Sequence, residues 1–272
     1  YVFPFLFAWI GIANVAPEGE VPNTVKYSFY IGAFILILCV LFTTLKVKEM
    51  PPKEYAEFHG IDENKEEEKA PGMIALLKNA PSTFWTVGLV QFFCWAAFMY
   101  MWTYTNGAIA DTVWGTTDVK SEGYQTAGNW VGILFAVQAV GSVLWALFIP
   151  KFKSVKLAYV VSLLVGALGF LSVYFIHDQY ALFVSFLLIG VAWAAMLAIP
   201  FTLLTNSLSG NHIGTYLGLF NGTICLPQII AAACGGLLLK VVGGAQVTMF
   251  IVAGVLLVLG ALSVYFIKEG KR

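Results

Sequence analysis

Apolar runs separated by short polar breaks dominate the chain, at roughly residues 1–14, 26–46, 82–106, 127–149, 156–176, 180–206, 213–240 and 246–267. A helix needs about 20 residues to cross the hydrocarbon core of a bilayer. The last seven runs meet that length and the first does not. The first run opens at Tyr1 without methionine or a basic leader, so it reads as a helix cut in its middle and not as a signal peptide. The chain is therefore expected to be the C-terminal portion of a longer protein. APEGEVPNT, with Pro17, Gly19 and Pro22, closes a helical hairpin over 1–46. One long hydrophilic stretch follows, KVKEMPPKEYAEFHGIDENKEEEKAPGMIALLKNAPS, whose mixed charge and Pro51-Pro52 pair predict a solvated linker. Within it, GMIALLKNA predicts a short surface helix, and His59 a solvated loop residue.

Residues 190–230 organise the rest. They predict two spanning helices, each interrupted by a proline (Pro200, Pro227) and joined by a polar turn at Ser207–Ile213. A backbone group freed by proline in lipid must find a partner inside the protein, which argues for a packed bundle. On the second helix Gly214, Gly218, Asn221, Cys225 and Gln228 share one small or polar face at 3.6 residues per turn. Amides at membrane depth are expensive unless they face a neighbouring helix or a water-filled path, so this face predicts a solute pathway.

Composition agrees: 59% of residues are hydrophobic, 11% are charged and the mean hydropathy is +0.81, far from the balance of a soluble domain. Net charge is zero, but its placement is uneven. If the first run exits outward, Lys46, Lys48, Lys53, Lys65, Lys69, Lys78, Lys151, Lys153, Lys156, Lys268, Lys271 and Arg272 fall on the inside. Only Lys26, Lys120 and Lys240 fall outside. Excess lysine and arginine marks the cytoplasmic side, so the 47–81 loop and the C-terminus are expected there, in a bacterial cytoplasmic membrane. No basic cluster suggests nucleic acid. The four cysteines lie in apolar runs without metal-ligand spacing and read as small buried residues. No metal and no cofactor is expected.

Candidate chemistry sits on 82–106, where Gln91, Trp95, Phe98, Trp102 and Thr105 recur at i, i+4, i+7, i+11 and i+14, with Asn106 at the margin. Amides bond sugar hydroxyls and indole rings cover the apolar face of a sugar ring. The competing reading is an aromatic packing face with one amide bonded across helices. Gln138, Ser142 and Trp145 share a face of 127–149, and Gln138 is balanced between lining a cavity and bonding another helix. Gly128, Gly132 and Gly141 on that helix permit close contact. The stretch NGAIADTVWGTTDVKSEGYQTAGN between these two helices is read as an outer loop, with Asp111 near enough to a helix end to gate. Runs 156–176 and 246–267 lack a polar residue in their middles and are expected at the periphery. No H-E-x-x-H, no G-x-S-x-G and no paired intramembrane carboxylates appear, so an enzyme is not expected.

KVKEMPP after the second run, QFFCWAAFMYMWTYT in the third, and WAAMLAIPFTLLTNSL followed by GTYLGLFNGTICLPQII resemble the major facilitator superfamily. They look most like its sugar:cation symporter branch, the glycoside–pentoside–hexuronide carriers and sucrose/proton symporters. The resemblance implies an all-α integral membrane bundle with about eight segments present of an expected twelve, helices five to twelve. Residues 1–46 would end the N-terminal half, 47–81 would be the cytoplasmic linker and 82–272 the C-terminal six-helix half. It also implies a monomeric secondary transporter that moves a disaccharide or small glycoside by alternating access, coupled to protons. Gln91, Trp95, Trp102, Gln138, Asn221 and Gln228 would bind substrate, with Pro200 and Pro227 as gating kinks. A non-transporting scaffold or sensor that retains the carrier fold stays open as the alternative.

Overall fold

The computed structural model describes residues 2–12, 20–48, 50–51, 54, 57–58, 72–208 and 213–267. Most of the expected linker, part of the first loop, residues 209–212 of the polar turn and the last five residues lie outside these. The described residues are helical apart from turns and short extended joints: α1 (Val2–Trp9), α2 (Asn23–Lys46), α3 (Met73–Lys78), α4 (Ser82–Trp114), α5 (Glu122–Ala146), α6 (Val155–Val173), α7 (Leu182–Ser207), α8 (Ile213–Phe220), α9 (Gly222–Val241) and α10 (Thr248–Ser263). With α8 and α9 taken as one span, seven stretches among the described residues are long and apolar enough to cross a membrane. They coincide with the seven full-length runs of the sequence.

The chain divides into two compact units, Phe3–Asn79 and Ala80–Arg272, with Tyr1 and Val2 grouped with the latter. In the first, the Phe7 ring meets Phe3 in a stack and Tyr27 edge-on, which ties α1 to α2. The second holds α4 to α10. There α7 lies between α5 and α6, α10 packs on α4 and α6, and α9 runs along α4.

Glycines set how closely these helices approach. A Cβ on Gly190 of α7 would stand 2.2 Å from the Gln138 carbonyl oxygen of α5, and one on Gly141 of α5 would stand 2.5 Å from the Leu187 carbonyl oxygen of α7. The two contacts are reciprocal, so each backbone fills the space where the other has no side chain. Ser142 donates its hydroxyl across the same crossing to the Gly190 carbonyl at 2.9 Å. On the opposite side of α7, Gly169 of α6 faces the Ser185 carbonyl, and Ser172 and Ser185 share a hydrogen bond of 2.8 Å. Small residues drive such packing in lipid because no hydrophobic effect distinguishes helix from tail.

Three expectations need correction. First, residues 107–114 are not loop: α4 runs 33 residues, to Trp114. Asn106-Gly107 reads as a turn signal, yet Gly107 is where the Gln246 side chain packs, close enough to exclude a Cβ. The connection shrinks to 115–121. Gly115 at φ 65° caps α4, and Ser121 caps α5 by accepting from the Tyr124 N–H at 3.2 Å. Asp111 therefore belongs to the last turn of α4. Second, neither proline interrupts its helix. Pro200 lies within α7 and Pro227 within α9, while the break falls at Asn221, between α8 and α9. Pro227 crowds the carbonyl four residues earlier, at Thr223, and the chain yields just beyond it, at Asn-Gly, where helix propensity is lowest. Thr223 donates its hydroxyl across the break to the Phe220 carbonyl at 2.7 Å. Third, of the four cysteines read as buried only Cys94 is, whereas Cys39, Cys225 and Cys234 are exposed.

Runs 156–176 and 246–267 each bury one face. Leu157, Leu164, Leu168 and Phe175 form an exposed apolar stripe after and along α6, and Val255, Leu259 and Leu262 form one on α10. These are the faces expected to meet lipid.

Candidate functional site

Helix α4 is the most enclosed of the candidate spans, and its central face holds Gln91, Trp95 and Trp102 of the expected site residues. Gln91 is fully buried and Trp95 is 8% exposed, whereas Trp102, two turns beyond Trp95, is 36% exposed. Phe98 and Thr105 on the same face are buried, and the Thr105 hydroxyl turns back to the Met101 carbonyl of its own helix. The indoles of Trp95 and Trp102 stand 6.3 Å apart, centroid to centroid. Trp193 from α7 closes a triangle with them, 5.8 Å from Trp95 at 76° and 5.6 Å from Trp102 at 84°. Phe98 lies 5.0 Å from Trp193 and 5.4 Å from Phe170 of α6. Edge-to-face pairs at these separations suit the ring quadrupoles. The cluster therefore grades from a dry base at Phe98 and Phe170 to a wetter or lipid-accessible edge at Trp102.

The polar atoms at its buried end are unusual. Gln91 Oε1 accepts from the Tyr159 hydroxyl of α6 at 3.3 Å, with both residues fully buried. Among the described residues, Gln91 Nε2 and Trp95 Nε1 have no hydrogen-bond partner, nor does Asn106 Oδ1 near the far end of α4. Leaving a buried donor unpaired costs about 1–3 kcal/mol. The two donors lie one helical turn apart on α4, at i and i+4.

The other expected site residues are dispersed. Gln138 is 7% exposed and sits at the α5–α7 crossing, where its backbone carbonyl accepts from Ser142 at 3.0 Å. Asn221 is exposed at the α8–α9 break and turns its amide back to the Leu217 carbonyl at 3.3 Å. Gln228 is half-buried one and a half turns after Thr223, which packs on Gly88 of α4. Gly214, Gly218 and Gly222 have open space where a Cβ would project. The glycine-amide face of α8 and α9 is thus left uncovered by the described residues, while Gln91, Trp95 and Trp102 are gathered with Trp193. Among the described residues, none of these amides bonds another.

Two members of the cluster escape a reading by periodicity. Trp193 lies in a run of uninterrupted apolar character, and only its place opposite α4 distinguishes it. Tyr159 stands near the start of a run without an amide or charge in its middle; its fit to Gln91 spans 68 residues of sequence.

The bundle of seven candidate spans can be compared with known families. The family model of the major facilitator superfamily matches residues 116–272, from the turn after α4 to the end of the chain and more than half its length. The chain belongs to the major facilitator superfamily. It is therefore a membrane transporter and not an enzyme, and its small-molecule substrate crosses the bilayer by way of the helix bundle. No curated protein sequence matches it. Within this superfamily chain, α5 to α10 fall inside the matched region and α4, which holds the tryptophan pair, precedes it.

Proposed function

We propose that the transporter carries a sugar, a disaccharide or small glycoside, by proton-coupled alternating access. The observation that supports this most is the join of an indole cluster to two unpaired buried donors. A sugar ring has an apolar C–H face for Trp95, Trp102 and Trp193 and oxygens at its rim for Gln91 Nε2 and Trp95 Nε1. Neither an ionic substrate nor an aliphatic one calls for both. No Asp, Glu, Lys or Arg lies on the Gln91–Thr105 face, so the site suits a neutral solute. In the working transporter Gln138, Asn221 and Gln228 approach the same solute from α5, α8 and α9. The uncovered glycine-amide face turns to the solute path, with residues 1–46 as the end of the other half and 47–81 as the cytoplasmic linker. The Asn221 break, with Pro227 behind it and Pro200 in the facing helix, is the flexible point at which these helices bend as access alternates.

The test is uptake of labelled sucrose, maltose and methyl α-glucoside into vesicles by the full protein, with and without a protonophore. Trp95→Ala and Gln91→Ala are expected to reduce uptake to background while membrane insertion is unchanged. Normal uptake by both variants removes these residues from the site. Uptake indifferent to a collapsed proton gradient refutes proton coupling while leaving the sugar assignment in place.

A further inference from the structure

Resting on the sugar reading above, we infer that Tyr159 is a positioning residue that fixes the hydrogen-bond polarity of the site, so that Gln91 and Trp95 bind only an oxygen acting as acceptor. A glutamine amide has one accepting and one donating end, and in isolation it can serve either kind of partner. In the structure Tyr159 occupies the accepting end. Its hydroxyl donates to Gln91 Oε1 at 3.3 Å, and both side chains are wholly buried. With the acceptor occupied, Nε2 is what Gln91 presents, and it has no partner among the described residues. One turn on, Trp95 offers Nε1, an indole N–H that can only donate, and it too is unpartnered. Both free functions are donors on one stretch of one helix. A group there that must itself donate finds no acceptor, while an ether, acetal or hydroxyl oxygen finds one or two N–H groups.

Natural sugars cannot reveal this, because a hydroxyl donates and accepts equally well. Their fluorinated analogues can, since carbon-bound fluorine accepts weakly and never donates. The probe is whichever of sucrose, maltose and methyl α-glucoside the wild-type protein takes up best, with its monodeoxy and monodeoxyfluoro derivatives at each hydroxyl in turn, competed against the labelled parent. At one hydroxyl or more, the deoxy analogue is expected to compete about tenfold less well than the parent and the deoxyfluoro analogue to stay within about threefold, as for loss and retention of one hydrogen bond. In Tyr159→Phe the amide is released and can turn, so the fluoro analogue should fall to the level of the deoxy analogue at that position. A purely structural loss would weaken both analogues and the parent alike and leave their ratio unchanged. Wild-type protein that rejects every fluoro analogue as strongly as its deoxy counterpart overturns the inference and leaves the sugar reading standing. Retention of the fluorine preference in Tyr159→Phe removes Tyr159 from the role. Failure to transport any of the three parent sugars overturns both readings together. Should Tyr159→Phe fail to insert, the wild-type comparison decides the polarity without it.

Discussion

Gly190→Ala tests whether the α5–α7 crossing is as tight as it stands here. The added Cβ would lie 2.2 Å from the Gln138 carbonyl oxygen and 2.9 Å from the Ser142 nitrogen, where ordinary contact begins at 3.4 Å. The shortfall at the carbonyl is about 1.2 Å. Both opposing atoms are backbone, so no rotamer change relieves the clash, and the helices must part. Parting them stretches the Ser142–Gly190 hydrogen bond, now 2.9 Å, and opens the reciprocal contact at Gly141. Overpacking of this kind costs about 1–3 kcal/mol, and the strained interhelical bond adds about 0.6 kcal/mol. Alanine recovers up to about 1 kcal/mol through its better helix propensity. The net expectation is destabilisation by about 1–2.5 kcal/mol. The assay is unfolding of purified protein in mixed micelles by titration with a denaturing detergent, followed by circular dichroism. Gly236→Ala serves as the control, because nothing lies within 4 Å of its Cβ position and only the propensity gain remains. If Gly190→Ala unfolds at the same detergent fraction as Gly236→Ala, the crossing is looser than described and the packing account of α7 is wrong.

Two further outcomes concern helix ends. Ser121→Ala removes the side-chain acceptor for the Tyr124 N–H and should destabilise the start of α5 by about 1 kcal/mol. Hydrogen exchange should then quicken over residues 122–126 and leave the end of α4 unaffected. Lys156→Met removes the ammonium that donates to the Ile267 carbonyl at 2.6 Å, just past α10. That bond steadies the backbone at buried Ile267 by about 1 kcal/mol, so exchange should rise over 264–267 while uptake stays unchanged. Unaltered exchange in either variant shows that the cap is not what holds that terminus.

Which elements could be read from the chain follows from the range of the interactions that form them. Spanning helices are decided locally, since lipid forces each segment to satisfy its own backbone. Hydropathy therefore placed all seven full-length runs. The extension of α4 through Asn106-Gly107 escaped this reading, because the partner that makes Gly107 useful is Gln246, 139 positions away. The same applies to the α8–α9 break. Proline marked the helix as weak, but the Asn-Gly pair and the Thr223 hydroxyl decided where it would open.

The candidate site divides the same way. A repeat of 3.6 residues lines Gln91, Trp95 and Trp102 along one face of α4, and that is a property of the sequence alone. What the face meets is not. Trp193 meets both indoles because α7 is seated by Gly190 on one side and Gly169 on the other, and Tyr159 reaches Gln91 because α6 packs along α7. Sequence sets the chemistry that each helix carries. Only the packing of glycine against backbone determines which of those groups find a partner on a neighbouring helix and which do not.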